Sequence, residues 1–376
     1  MKILVVSNVS VPPIVAGSCK CISSYCNLLK QIGHDVHFLY SGVVNDKTLK
    51  ESADFWENKY HFYNYGLSLR IANKIKRVAT KIFMGSKYPI DYYYPAYGFS
   101  SFVNKLQKQE NFDAVIVNYP WMTKLLNDIK IPLKLYFTHD MFTDKRKHIN
   151  AEYYTLTSEQ EKEVLERADI VLSIQETESQ YFRSLVPDKK VLSVFTPFEF
   201  SETPFSADHN VLFFSGNSDL NRNGIIWFIN EVWPKVCKLD TKARLVIGGG
   251  ICKGLSDVKT DDTIELLGFI DNVKEFYSLG NIAINPVYQG TGLKIKTLEA
   301  VSYGKITIVH PHSVEGIYLQ EAAPVIVAND ANQYASIIAG HICNEPLYKE
   351  NSVESKKYIK DMNEFIIRQY QQIDNK

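Results

Sequence analysis

Short apolar runs rich in branched and aromatic side chains alternate along the chain with stretches in which apolar positions recur every three or four residues. The runs fall at 3–8, 36–40, 114–118, 133–138, 170–174 and 191–195 in the first half. In the second half they fall at 211–216, 244–248, 264–268, 282–285, 306–309 and 325–327. Several are apolar at nearly every position, as in strands covered on both faces, and the helical stretches between them are long enough to cross over. The pattern predicts an α/β chain of two Rossmann-like domains facing a cleft, each domain built on a parallel sheet. Between 196 and 210 the periodicity stops at Pro197, Ser201, Pro204, Ser206 and Asp208, which reads as a linker. The expected boundaries are therefore a first domain at 1–196, a linker at 197–210 and a second domain at 211–352. A polar helix at 353–376, following Pro346, is expected to pack back on the first domain. In open parallel sheets ligands bind beyond the carboxyl ends of the strands, which selects the loops worth reading for chemistry.

Length agrees with two cores: 376 residues exceed what one ordinary core organises. Forty-two Lys and Arg balance 42 Asp and Glu, so a nucleic-acid binder held by phosphate contacts is disfavoured. No apolar stretch approaches the roughly 18 residues of a membrane span, and the first apolar run has strand length rather than that of a signal sequence. Cys19, Cys21, Cys26, Cys237, Cys252 and Cys343 show no Cys-x-x-Cys spacing, so reduced thiols in a cytoplasmic protein are expected. The sequence has no Gly-x-Ser-x-Gly, His-Glu-x-x-His, Walker loop or Asp-x-Asp pair, so no metal or cofactor is expected. Gly-x-Gly-x-x-Gly is missing after the first strand, which disfavours a nicotinamide oxidoreductase.

Candidate chemistry concentrates at four places. The first is Pro286-Val287-Tyr288-Gln289-Gly290-Thr291-Gly292-Leu293-Lys294-Ile295-Lys296-Thr297-Leu298-Glu299-Ala300, which leaves a strand and opens a helix. Gly290 and Gly292 free backbone N–H groups, the helix start adds partial positive charge, and Lys294 and Lys296 add full charges. That combination suits a diphosphate, and Glu299, two turns on, suits ribose hydroxyls. The second is the strand end Thr138-His139-Asp140, where His139 can exchange hydrogen bonds with a ligand and Asp140 can orient it. The third is the Pro-stiffened loop from Val9 to Ser18, in which Gly17 allows close backbone approach. The fourth is a stretch from Asn58 to Ile90 without any Asp or Glu. There Leu67, Ile71, Ile75, Val78 and Ile82 share a helical face, with Arg70, Lys74, Arg77 and Lys81 as a stripe beside it. This arrangement suits either an interfacial helix or a helix packed on its own domain. Flanking tyrosines, among them Tyr60, Tyr63 and Tyr65, would suit headgroup depth or sugar stacking.

The Gly-rich segment resembles the signature of retaining glycosyltransferases of the GT-B fold, family 4, in which a Glu-x7-Glu pair leads into Ala-x-x-x-Gly. Glu299-Ala300 and Tyr303-Gly304-Lys305 match its second half, while Thr291 stands where the first Glu would be. A subset of bacterial members carries a Gly-rich, Lys-containing form of this loop, which the chain resembles more. Further matches run through Gly33-His34-Asp35-Val36, Thr138-His139-Asp140, Arg167-Ala168-Asp169, Phe214-Ser215-Gly216-Asn217, Leu267-Gly268-Phe269-Ile270 and Val314-Glu315-Gly316-Ile317.

The resemblance implies roles for these positions. The Gly17 backbone would approach donor phosphates, and Gly216 would line the phosphate pocket. Arg222 would supply part of a usual basic pair, its missing charge coming from Lys294 or Lys296. Phe269 and Ile270 would hold the base. Gly290, Thr291, Gly292 and Leu293 would meet sugar hydroxyls and phosphate, Glu299 the ribose, and His139 the transferred sugar. The implied activity is retaining, metal-independent transfer of a hexosyl group from a UDP- or GDP-linked sugar to a saccharide or lipid-linked acceptor in surface polysaccharide synthesis. The location would be cytoplasmic, with the basic stripe against the inner face of the membrane. A sugar-nucleotide epimerase of the same fold and an impaired nucleotide-sugar-binding partner subunit, suggested by Thr291, are the alternatives.

Overall fold

The computed structural model describes residues 1–13, 17–84, 89–144 and 154–374. The chain divides into two units, Met1–Pro197 with Ile366–Lys376, and Phe198–Phe365.

The first unit carries seven strands: β1 (Lys2–Ser7), β2 (Asp35–Gly42), β3 (Tyr60–Asn64), β4 (Ala114–Asn118), β5 (Leu133–Phe137), β6 (Ile170–Ser173) and β7 (Lys190–Ser193). Their spatial order is β3-β2-β1-β4-β5-β6-β7, every pairing parallel. In β4 all five side chains are buried, and β1 is buried from its second residue onward. Such strands must be apolar on both faces, which explains their continuous runs. Asn118, polar and fully buried at the end of β4, can stand there only with its hydrogen bonds satisfied.

The second unit carries β8 (Asn210–Phe214), β9 (Arg244–Gly248), β10 (Ile264–Gly268), β11 (Ile282–Asn285), β12 (Ile306–Val309) and β13 (Val325–Val327), ordered β10-β9-β8-β11-β12-β13 and again all parallel. In both sheets the order reverses direction beside the first strand of the unit, where α/β folds take their ligands.

Three sequence expectations need correction. β3 is a strand that the apolar pattern does not announce: at the sheet edge its side chains are only half-buried or exposed. Tyr60 and Tyr63 therefore belong to backbone pairing with Phe38 and Ser41 rather than to a loose flank. Residues 198–209 are strapped to the second unit and do not form a free linker. Ser201 N donates to the Ser302 carbonyl at 2.9 Å, Ser206 N and O are bridged by the Asn281 amide, Thr203 is buried, and Phe205 packs on the core. The last helix begins at Glu345 and runs to Gln371. Pro346 lies in its first turn, where no intrahelical N–H is required, and so does not delay it. The helix spans the division between units. In the first unit Tyr370 is fully buried and Lys190 Nζ donates to the Gln372 carbonyl at 2.6 Å.

Candidate functional site

Because the second sheet is parallel throughout, the loops after β8, β9, β10, β11 and β12 leave from one edge. They are packed tightly. Gly249 has φ 95°, and a Cβ there would collide with the Ser215 carbonyl oxygen, while its N–H donates to the Gly268 carbonyl at 2.7 Å. Gly216, by contrast, has open space where a side chain would stand. Ser218 caps the next helix, Asp219–Trp227, by accepting from Asn221 N at 3.3 Å. Phe269, just past β10, is 76% exposed, an apolar ring held at the carboxyl edge of the sheet. Ile270 lies half-buried against Gly248.

The loop after β11 turns through Gly290 (φ 123°) and Gly292 (φ 83°), conformations that residues with a Cβ rarely adopt. It ends at Lys294, the N-cap of helix Ile295–Ser302. Lys296, in the first helical turn, is half-buried and has no ion-pair partner among the described residues. Burial, and then the neighbouring charge of Lys294, lower its pKa to about 8 against the opposing pull of Glu299. A cation that burial disfavours is stabilised when an anion arrives. Glu299 is buried beside Tyr277, whose hydroxyl is hydrogen-bonded to it and whose ring stacks on Tyr303 at 4.6 Å.

Lys294 is not left to find its own position. Its Nζ lies 3.2 Å from Nε2 of His312, and Nδ1 of His312 lies 2.9 Å from Oε2 of Glu315. With the ammonium donating to Nε2, the imidazole proton sits on Nδ1 and points at the carboxylate. Burial first, and Lys294 second, hold the His312 pKa below its ordinary value, so the ring is neutral and able to accept. The turn bearing His312 is tied to the Gly-rich loop: Asn285 Nδ2 donates to Thr297 Oγ1 (2.9 Å), Thr297 Oγ1 to the Ser313 carbonyl (2.7 Å), and Ser313 Oγ to the Val287 carbonyl (2.6 Å). The sequence reading missed His312. Its signal is the polar run His310-Pro311-His312-Ser313 immediately after β12.

Arg222 is occupied otherwise than expected. It donates to both carboxylate oxygens of Asp257, at 2.9 and 2.7 Å, and to the Gly254 carbonyl at 2.7 Å.

In the first unit the edge of interest is formed by β1, β4 and β5. Asn118 Nδ2 donates to the Val6 carbonyl at 2.9 Å, which turns Oδ1 toward Tyr25 OH at 3.0 Å and His139 Nε2 at 2.7 Å. His139 therefore carries its proton on Nε2, and burial depresses its pKa to about 3, so Nδ1 is left as the acceptor of a neutral ring. The ring is clamped between Tyr119 at 4.3 Å and Phe137 at 4.7 Å. Tyr119 and His139 both adopt positive φ, at 71° and 62°, a strain that concentrates at functional sites. This geometry suits receiving a hydrogen bond from a sugar hydroxyl and does not suit giving up a proton at neutral pH.

Two buried carboxylates that the sequence reading passed over shape the loop beyond Asp140. Glu161 accepts from Phe142 N and from Thr143 Oγ1, both at 2.9 Å, and Glu178 accepts from Met141 N at 3.1 Å. Burial raises the Glu161 pKa to about 7, with a smaller repulsion from Asp140. Gly17 opens helix Gly17–Gln31 and is exposed, while residues 14–16 of its loop lie outside the described residues.

Helix Leu67–Met84 carries the basic stripe and takes the first of the two orientations left open by its sequence, with the apolar row away from the core. It packs inward through Leu69, Asn73 and Lys76, the last donating to the carbonyls of Asp91 (2.5 Å) and Tyr94 (2.9 Å). The apolar row faces out, with Leu67 73% exposed and Ile75 63% exposed. None of Arg70, Lys74, Arg77 and Lys81 has an ion-pair partner among the described residues. No helix of the described chain is long and apolar enough to cross a membrane.

Comparison with known proteins adds a family match over part of the chain and a likeness of fold. Residues 209–344 match a family model described as Glycosyl transferases group 1. A Klebsiella pneumoniae protein described as an uncharacterized 44.6 kDa protein in the cps region is 23% identical over 393 residues, covering 96% of each chain. Among solved structures, S. aureus TarM in complex with fondaparinux, alpha-GlcNAc-glycerol and UDP superposes with a TM-score of 0.71 at 10% identity over 100% of both chains. The pneumococcal O-GlcNAc transferase GtfA in complex with UDP and GlcNAc gives 0.67 at 10% identity, over 100% of this chain and 99% of the other. Sucrose-phosphate synthase from Thermosynechococcus elongatus gives 0.69 at 15% identity, over 100% and 98%. At these identities the likeness is one of fold.

Proposed function

We propose that this chain, a GT-B-fold protein whose second unit matches glycosyl transferases group 1, transfers a glycosyl group from a nucleoside diphosphate sugar to a saccharide acceptor in polysaccharide assembly. The observation that carries the reading is the anion seat at the carboxyl edge of the second sheet. Two positive-φ glycines, the start of a helix, an oriented Lys294 and a half-buried Lys296 with no ion-pair partner among the described residues meet there, with Glu299 one turn beyond. Phe269 offers a face for the base and Glu299 a carboxylate for the ribose. UDP is the first candidate nucleotide, since TarM and GtfA are both described with it.

In this reading the bond from the sugar C1 to the diphosphate oxygen lengthens as negative charge builds on that oxygen. Lys294 and Lys296 are already in place, so stabilising that charge requires little reorganisation. The acceptor hydroxyl attacks the same face, its proton passes to the departing diphosphate oxygen, and the configuration at C1 is retained. Neutral His139 receives a hydrogen bond from a hydroxyl of the transferred sugar. The outward apolar row and basic stripe of helix Leu67–Met84 support work at an anionic membrane surface on a lipid-linked acceptor.

A thermal-shift panel of UDP- and GDP-sugars tests the donor site, because a ligand that binds only the folded state raises Tm. One nucleotide sugar should shift Tm by several degrees, and Lys294→Ala with Lys296→Ala should remove the shift. Absence of any shift across the panel overturns the reading.

A further inference from the structure

Asn118 is a fully buried polar residue at the carboxyl end of β4, and its amide is engaged on both sides. Its backbone pairs in register with Phe137, two residues before His139, so the sheet brings it beside the imidazole. Nδ2 donates to the Val6 carbonyl of β1 at 2.9 Å, while Oδ1 accepts from Tyr25 OH at 3.0 Å and lies 2.7 Å from His139 Nε2. The amide cannot turn over, because a flipped side chain would set Oδ1 against the Val6 carbonyl, two acceptors with no proton between them. Oδ1 can only accept, so Nε2 of His139 carries the proton and Nδ1 is the acceptor. The surrounding rings hold that orientation: Tyr119 and Phe137 flank the imidazole, and Tyr25 stacks on Phe137 at 4.5 Å. Burial alone accounts for the lowered pKa of His139, so the neighbouring Asp140 carboxylate does not charge the ring. An amide oxygen accepts from Nε2 without favouring the imidazolium, which a carboxylate in its place would do.

We propose that Asn118 is a positioning residue for sugar transfer: it selects the tautomer in which His139 offers Nδ1 to a sugar hydroxyl, and, being uncharged, it keeps that nitrogen unprotonated. The inference rests on the glycosyl-transfer reading and names what prepares His139 for its part in it. An amide needed only to tie β4 to β1 would be satisfied by the Val6 carbonyl and Tyr25, and the protonation of His139 would be indifferent to it. The arrangement also restricts the ligand, since the atom that meets Nδ1 has to carry a hydrogen. A hydroxyl or an amide N–H does so, whereas a carboxylate or a fluorine substituent does not.

Imidazole nitrogen NMR on the full chain carrying isotope-labelled histidine tests the tautomer, with His139→Gln identifying the signal. Wild type should show Nε2 protonated and Nδ1 unprotonated between about pH 5.5 and pH 8.5. Asn118→Leu, apolar and of similar size, should shift the proton toward Nδ1, and Asn118→Asp should make the ring titrate within that range. The signals of the other histidines should stay in place, which shows the variants folded. Turnover is read as nucleotide release from UDP-glucose and from UDP-N-acetylglucosamine. Asn118→Leu should lower kcat at least tenfold at every pH. Asn118→Asp should lower it chiefly at the acid end, giving a limb that wild type lacks and that adding His139→Gln removes. A wild-type ring protonated on Nδ1, a tautomer unchanged in Asn118→Leu, or an Asn118→Asp profile parallel to that of wild type overturns the proposal. A wild-type chain that releases nucleotide from neither sugar brings down the glycosyl-transfer reading, and the sugar contact with it, whichever tautomer is found.

Discussion

Lys294 and His312 form a contact of 3.2 Å between Nζ and Nε2, and Glu315 fixes the far side of the ring at 2.9 Å. The pair joins the Gly-rich loop to the turn after β12 and places a charge by hydrogen bonding rather than by chance rotamer. His312→Ala should lower kcat by about tenfold while changing the donor KM less, and His312→Gln, which can still accept from the ammonium, should restore part of the loss. Steady-state kinetics on both variants decide it. Equal loss in both would mean that the ring packs but does not position.

Lys294→Ala and Lys296→Ala should reduce turnover far more than they weaken acceptor binding, because both charges act on the leaving diphosphate. Near-wild-type rates in both single variants and in the double variant would sink the phosphate assignment.

Lys296 also predicts a pH limb. Its pKa of about 8 lies well below the ordinary lysine value, so the cation is lost as pH rises through 8, and nucleotide affinity should fall above that point. Lys296→Arg, which stays charged, should flatten the limb. Isothermal titration of nucleotide between pH 7 and pH 9.5 measures both.

Glu161 gives a stability test with a definite sign. Its folded pKa is raised to about 7, above the unfolded carboxylate value, so the wild type loses stability as pH rises from about 4.5 through 7. His139, held down to about 3, works the other way: its contribution is lost as pH falls below about 6.5. Glu161→Gln removes only the first effect. The Tm of the variant relative to wild type should therefore climb between pH 4.5 and pH 7.5, and a constant difference would contradict the buried ionisation.

The outward apolar row predicts an unusual surface variant. Ile71→Ser with Ile75→Ser and Ile82→Ser should abolish flotation with anionic liposomes and leave Tm unchanged, since these side chains are half or more exposed and fill no core. Equal flotation with neutral and anionic vesicles would remove the role of the basic stripe, and no flotation of wild type would remove the membrane from the proposal.

How legible was all this in the sequence? β4, β9, β11 and β12 fall where the apolar runs place them, because strands covered on both faces cannot be polar. β3 escaped because an edge strand is under no such pressure, and Tyr60-His61-Phe62-Tyr63-Asn64 reads equally as a polar loop. The helix at 67–84 was visible as amphipathic, but periodicity defines a face without saying which way it turns. Lys76 decided that, its ammonium finding two backbone carbonyls inward. Glu161 occupies a core register with Val164 and Leu165, a signal that patterning alone carried and that went unread. The glycines and lysines of the 290–296 loop were readable because their chemistry is local. His312 was not, because its partner arrives through the pairing of β11 with β12.

The collision that any side chain at Gly249 would have with the Ser215 carbonyl has a bearing on engineering. The loops after β8 and β9 are two halves of one tile, and neither can be exchanged alone. A graft intended to change nucleotide preference would have to move 215–218 and 249–254 together. Libraries that randomise one of these loops while holding the other fixed should return mostly unfolded clones.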